Sequence, residues 1–124
     1  MKKFGEYIYS PEQASGEAIS KVETHTPKIE APESVKANEA FTVKISVGPH
    51  PNQVSHFIRS LTVYFVEEGR AFNPVHLATV EFEPEYSEPI ITLTLKLKKS
   101  GTIYALGYCN LHGVWEGKKE VKVE

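Results

Sequence analysis

Alternation of apolar and polar side chains with a period of two runs through the chain from about residue 39 onward, and it limits the available folds more than any other feature. Phe41, Val43, Ile45 and Val47 occupy every second position, as do Ile91, Leu93, Leu95 and Leu97, with Thr92, Thr94, Lys96 and Lys98 between them. Successive side chains of a strand point to opposite faces, so the pattern describes strands with one face buried and one in water. Residues 58–66, 75–82, 103–108 and 120–123 read the same way, and 27–31 brings the expectation to about seven strands. Glu68-Gly69, Asn73-Pro74, Ser100-Gly101 and Glu116-Gly117 fall where alternating runs stop, and are read as turns. No helical run of useful length separates the strands, which argues against parallel crossovers. The expected fold is an all-β, immunoglobulin-like antiparallel β-sandwich.

A chain of 124 residues with 40% apolar side chains can bury a core as a single domain. Within it, residues 1–24 are read as an N-terminal extension leading to the first candidate metal loop, and 25–124 as the sandwich. Ser10-Pro11-Glu12-Gln13 resembles a capped helix start that Gly16 cuts short. Fourteen Lys and Arg against 16 Asp and Glu leave a formal charge of −2, which offers no general attraction for nucleic acid or an anionic membrane. The Lys96–Lys99 and Lys118-Lys119 clusters are read as keeping strand edges soluble. The longest apolar run, Val63 to Val66, is too short to span a bilayer, and a soluble, cytoplasmic protein is expected.

Cys109 is the only cysteine, which excludes an internal disulfide, a four-cysteine zinc site and an iron-sulfur cluster, but leaves one thiolate. In Tyr108-Cys109-Asn110-Leu111-His112-Gly113 an imidazole follows the thiol by three residues, a spacing that lets both reach one ion from a tight turn. Two further histidines lie in Pro49-His50-Pro51-Asn52-Gln53-Val54-Ser55-His56, and another in Glu23-Thr24-His25-Thr26-Pro27. Together these segments point to a metal centre, whereas His76, inside Val75-His76-Leu77, has no motif around it. A cupredoxin-type copper site with electron-transfer function is one reading. It calls for a weak axial methionine beyond the Cys-x-x-His loop, and the only methionine is Met1. A binding module with a purely structural metal is another.

The run Tyr104-Ala105-Leu106-Gly107-Tyr108-Cys109-Asn110-Leu111-His112-Gly113-Val114-Trp115-Glu116, the segment His50 to His56 with Ile58-Arg59, and Glu23 to Pro27 together resemble superoxide reductase, in matching order. The resemblance runs from about residue 23 to the end. It is to the single-iron class, or neelaredoxin, because no cysteines for an N-terminal desulforedoxin site accompany it. It implies one mononuclear non-haem iron, Fe2+/Fe3+, held by His25, His50, His56 and His112 with Cys109 as axial thiolate, and one-electron inner-sphere reduction of superoxide to hydrogen peroxide. Five ligands of this kind suit tetrahedral zinc badly. A thiolate donates electron density to the metal, and a local charge of about +1 on the ferrous site would attract superoxide to an otherwise anionic protein. The resemblance gives Glu23 the part of a sixth ligand in the ferric state.

At one position the chain departs from the family pattern, Glu-Lys-His-x-Pro. Thr24 stands where a lysine is expected. A hydroxyl can hold water but carries no positive charge, so Lys21, four residues before His25, is the candidate replacement. Tyr104, Tyr108 and Trp115 are expected to pack the metal loop, and Asn110 with the backbone amides near Leu111 and His112 to hydrogen-bond the sulfur. The resemblance further implies rubredoxin or a similar small electron donor, and a homotetramer.

Overall fold

The computed structural model describes Met1–Glu124 and folds the alternating segments into two sheets. The strands are β1 (Lys28–Glu30), β2 (Ser34–Val35), β3 (Phe41–Ser46), β4 (Ile58–Glu67), β5 (Val75–Glu81), β6 (Ile90–Leu95), β7 (Gly101–Cys109) and β8 (Gly113–Val123). One sheet has the order β1-β3-β6, the other β2-β8-β7-β4-β5. All named pairings are antiparallel except the two-residue contact of β2 with β8. The expected antiparallel β-sandwich is therefore the observed one.

The inward faces meet in a core that contains Val43, Ile45 and Ile91 from the smaller sheet and Leu61, Val63, Phe65, Ile103, Ala105 and Val121 from the larger. Burying an aliphatic side chain of this size stabilises a fold by about 1.5–3 kcal/mol. In β4 the inward positions are Ile58, Leu61, Val63 and Phe65, and the first interval is three residues because the register against β7 shifts between Ile58 and Ser60. That irregularity keeps Ile58 inward and opposite Cys109, at the end of the sheet where the candidate ligands lie.

Several expectations at element boundaries are corrected. There are eight strands, and residues 120–123 are only the end of the eleven-residue β8. Glu116-Gly117 is not a turn but lies inside β8, with Gly117 paired to Ala105. A Cβ on Gly117 would sit 2.0 Å from the carbonyl oxygen of Pro27, so this glycine admits the crossing chain and does not reverse the strand. In the N-terminal region, Ser10 Oγ accepts a hydrogen bond from the Gln13 amide at 3.2 Å, but only a single turn forms there. The helical pieces are 3-10 turns at Phe4–Tyr7 and Gly16–Lys21, the second running into α1 (Val22–His25). No helix is long and apolar enough to cross a membrane.

The contact at Gly117 yields a direct test. Gly117→Ala must push Pro27 and the segment behind His25 outward, and is expected to destabilise the protein by about 1–3 kcal/mol, the usual penalty for overpacking. Urea unfolding should show a lower midpoint with an unchanged slope.

Candidate metal centre

Antiparallel connectivity brings three chain segments, carrying five candidate donors, to one end of the sandwich. β1 begins where β3 ends, and β4 begins where β7 ends, as the pairs Lys28↔Ser46 and Ile58↔Cys109 show. His25 closes α1 just before β1, His50 and His56 lie in the loop from β3 to β4, Cys109 ends β7, and His112 is in the turn to β8. Gly113, at φ +80°, supplies the left-handed residue that lets this turn close within three residues of the thiol.

Hydrogen bonds fix the two loops against each other. Asn110 Nδ2 donates to the Ser55 carbonyl at 3.0 Å, and Asn110 Oδ1 accepts from the Phe57 amide at 2.9 Å, so Asn110 grips the chain on both sides of His56. Its side chain serves the loop and not the sulfur, contrary to expectation. Asn52 ties the same loop to the turn before β6, donating to the Ser87 carbonyl and to Glu88 and accepting from the Glu85 amide. Trp115 is 1% exposed and donates from Nε1 to the His112 carbonyl at 3.0 Å, which holds that turn from below. Tyr108 instead faces solvent. Tyr9, which sequence reasoning did not single out, stacks on Trp115 at 4.8 Å, and its amide and carbonyl pair with β8. Nothing in its local sequence marks that contact.

Four imidazoles form a ring of edge-to-face neighbours. Centroid separations are 4.6 Å for His25–His50, 4.6 Å for His50–His56, 5.0 Å for His56–His112 and 5.1 Å for His112–His25. Across the ring, His25 and His56 lie 6.3 Å apart and nearly parallel. Cys109 Sγ is 3.5 Å from His50 Nε2 and 3.8 Å from His112 Nδ1. The donor atoms of His25, His50, His56 and Cys109 all fall within 4.8 Å of one another, and His112 Nδ1 lies 3.2 Å from His25 Nε2.

The protonation of two rings follows from their partners. His50 Nδ1 is 2.7 Å from the Pro51 carbonyl, and His25 Nδ1 is 3.1 Å from the Lys21 carbonyl. A carbonyl oxygen only accepts, so both Nδ1 atoms carry the proton and both Nε2 atoms are bare. Yet these Nε2 atoms are 3.2 Å apart. Two lone pairs at this distance repel unless a cation lies between them. His56 Nε2 is also buried with no hydrogen-bond partner, an arrangement that is costly for a polar atom unless something else satisfies it. Three to four nitrogens and one sulfur, converging with lone pairs inward, fit a transition metal ion.

Burial also sets the charge state. His25, 4% exposed, has its pKa lowered from 6.5 to about 4, chiefly by desolvation and then by the neighbouring His50 and His112. His50 is lowered by the same burial, and His112 by burial and then by the charge of Lys21. His25, His50 and His112 are therefore neutral at physiological pH and ready to ligate.

The desulfoferrodoxin family profile matches residues 17–118. The chain belongs to the desulfoferrodoxin family. Among relatives of this desulfoferrodoxin-family chain, the superoxide reductase of Pyrococcus furiosus is 40% identical over 79% of this chain and 88% of that one. The neelaredoxin of Megalodesulfovibrio gigas is 34% identical over 84% and 91%. The solved superoxide reductase (neelaredoxin) of Ignicoccus hospitalis is 67% identical, covering 99% of this chain and all of its own, with a TM-score of 0.93.

Glu23 is exposed on α1, outside the cluster of four donors. Thr24 is half-buried, with its hydroxyl 2.8 Å from His25 Nδ1. Lys21 lines a cavity of about 310 Å³ together with Tyr9, Glu17, Leu111, His112 and Trp115. His76 is exposed and bonded to Thr79, away from the donor cluster.

The depressed pKa of His25 carries a linkage consequence for the metal-free protein. The folded ring takes up its proton near pH 4 and the unfolded ring near 6.5, so between these values the unfolded chain binds more protons. Stability is fully present above pH 6.5 and is lost as the pH falls toward 4. Urea midpoints of metal-free protein should fall across that window, and His25→Gln should flatten the fall.

Proposed function

We propose that the protein is a superoxide reductase that holds one iron at His25, His50, His56, His112 and Cys109. The observation that carries this reading is the pair of unprotonated Nε2 atoms of His25 and His50, 3.2 Å apart and beside a buried thiol. Iron bound there would supply the single electron that, with two protons, converts superoxide to hydrogen peroxide.

The chain's own groups shape that reaction. Four neutral imidazoles add no charge and one thiolate adds a single negative one, so the donor set leaves a divalent ion at about +1, enough to attract an anion locally. The buried Cys109 sulfur, away from water, would hold the ion as a thiolate and supply electron density to it. Lys21 shares a cavity with His112 and lowers its pKa, which supports the assignment of Lys21 to the attraction of superoxide in place of the lysine expected at Thr24. Glu23, on the same short helix as His25, is the proposed carboxylate ligand of the oxidised state. Electrons are assigned to rubredoxin or a similar small carrier, and assembly to a homotetramer in the cytoplasm, on the family resemblance. The copper reading finds no support, since Met1 is fully exposed at the chain terminus and no other methionine exists.

Protein purified without oxygen should contain one iron per chain and consume superoxide with formation of peroxide and no evolution of dioxygen. Cys109→Ser should lose the thiolate-to-iron absorption band of the oxidised form. Copper or zinc at full occupancy, with no superoxide consumed, would overturn the proposal. For Lys21→Ala, stopped-flow kinetics should give a superoxide rate about tenfold lower and less dependent on salt, the behaviour of a lost steering charge. An unchanged rate and salt slope would remove Lys21 from this part.

A further inference from the structure

We propose that Thr24 is a positioning residue for His25, and that its hydroxyl acts on the imidazole and not on substrate or water. The inference rests on the metal-site reading above only for the identity of the ion. Thr24 Oγ1 lies 3.3 Å from the Lys21 carbonyl and 2.8 Å from His25 Nδ1. His25 Nδ1 is itself 3.1 Å from the same carbonyl.

A hydroxyl has one hydrogen and two lone pairs, and a carbonyl has lone pairs only. The Lys21 oxygen therefore takes hydrogen from both neighbours. Once the Thr24 hydrogen is directed to that oxygen, the Thr24 lone pairs are left for the His25 Nδ1–H, which is shared between two acceptors with Thr24 as the shorter contact. The result is a bare Nε2 directed toward His50 and His112, each 3.2 Å away. The reverse arrangement, with Thr24 donating to Nδ1, would put the proton on Nε2 and block a metal there.

The hydroxyl also stands on the Nδ1 side of the ring, so the imidazole separates it from the converging donors, and its only proton is engaged by a backbone carbonyl. A lysine at this position could not play the part, because an ammonium group has donors and no acceptor. Exchange of lysine for threonine thus replaces a charge with an acceptor. Acceptors on the distal nitrogen of a ligating histidine orient the ring and raise its basicity, and their loss typically lowers metal affinity 10–100-fold. Because the Lys21 carbonyl remains, the lower end of that range applies.

Thr24→Val removes the acceptor at nearly constant volume, and Thr24→Ser keeps it. In metal-free protein, nitrogen-15 NMR of the His25 ring should show Nδ1 protonated and Nε2 bare in the parent and in Thr24→Ser, with a shift toward mixed tautomers in Thr24→Val. Competition with a chelator should show ferrous-ion affinity about tenfold lower in Thr24→Val and restored in Thr24→Ser. Parent-like tautomers and affinity in Thr24→Val, or failure of Thr24→Ser to restore both, would overturn the proposal. Absence of iron binding in the parent would refute the metal-site reading alone, since the tautomer measurement on metal-free protein still decides the part of Thr24.

Discussion

Two backbone carbonyls, those of Lys21 and Pro51, govern the chemistry of this protein's metal-binding end. Each takes the Nδ1 proton of one histidine and so turns a bare Nε2 inward, where the two nitrogens stand 3.2 Å apart. Neither ring can relieve the repulsion by moving its proton without breaking the bond to its carbonyl. His56 adds a further Nε2 to the same cluster, buried and with no hydrogen-bond partner. A cation bound among them would satisfy all three at once, so that metal binding would also stabilise this end of the fold.

That constraint can be met only because the donors are held by rigid elements. Cys109 is both the last residue of a central strand and a member of the apolar core, fully buried and paired across the sheet with Ile58. His112 follows through a turn pinned by Trp115, and His56 is bracketed by the hydrogen bonds of Asn110. The loops thus behave as extensions of the sheets, and the donors keep their spacing through the order of the scaffold.

Electrostatics act at two scales. The whole chain carries a formal charge of −2 and repels anions weakly, while burial keeps His25 and His50 neutral so that they do not compete with a bound cation. A local positive charge in partly desolvated surroundings outweighs a distant, screened negative one, because Coulomb energy grows as both separation and effective dielectric fall. The Lys21 side of the His112 cavity adds to that local field, and Glu17 opposes it.

The period-two pattern of residues such as Val43, Ile45, Leu61 and Val63, with turns at short intervals and no helical run between strands, pointed to a two-sheet β-sandwich, because without helices to cover it the apolar face of one sheet packs against another. The spacing of Cys109 and His112 in one tight turn was likewise legible, being a local property. The start of β8 was not: Glu116-Gly117 has the composition of a turn, and only the passage of Pro27 over it explains a glycine inside a strand. Nor was the grip of Asn110 on Ser55 and Phe57, or the stack of Tyr9 on Trp115, since each joins residues more than fifty positions apart. The sequence by itself determined which side chains alternate, which can ligate a metal and where lysine is replaced by threonine. The tertiary structure decided which nitrogens face one another and which carbonyls hold their protons, because hydrogen bonds and lone-pair contacts are set by distances between segments that only the folded sheets bring together.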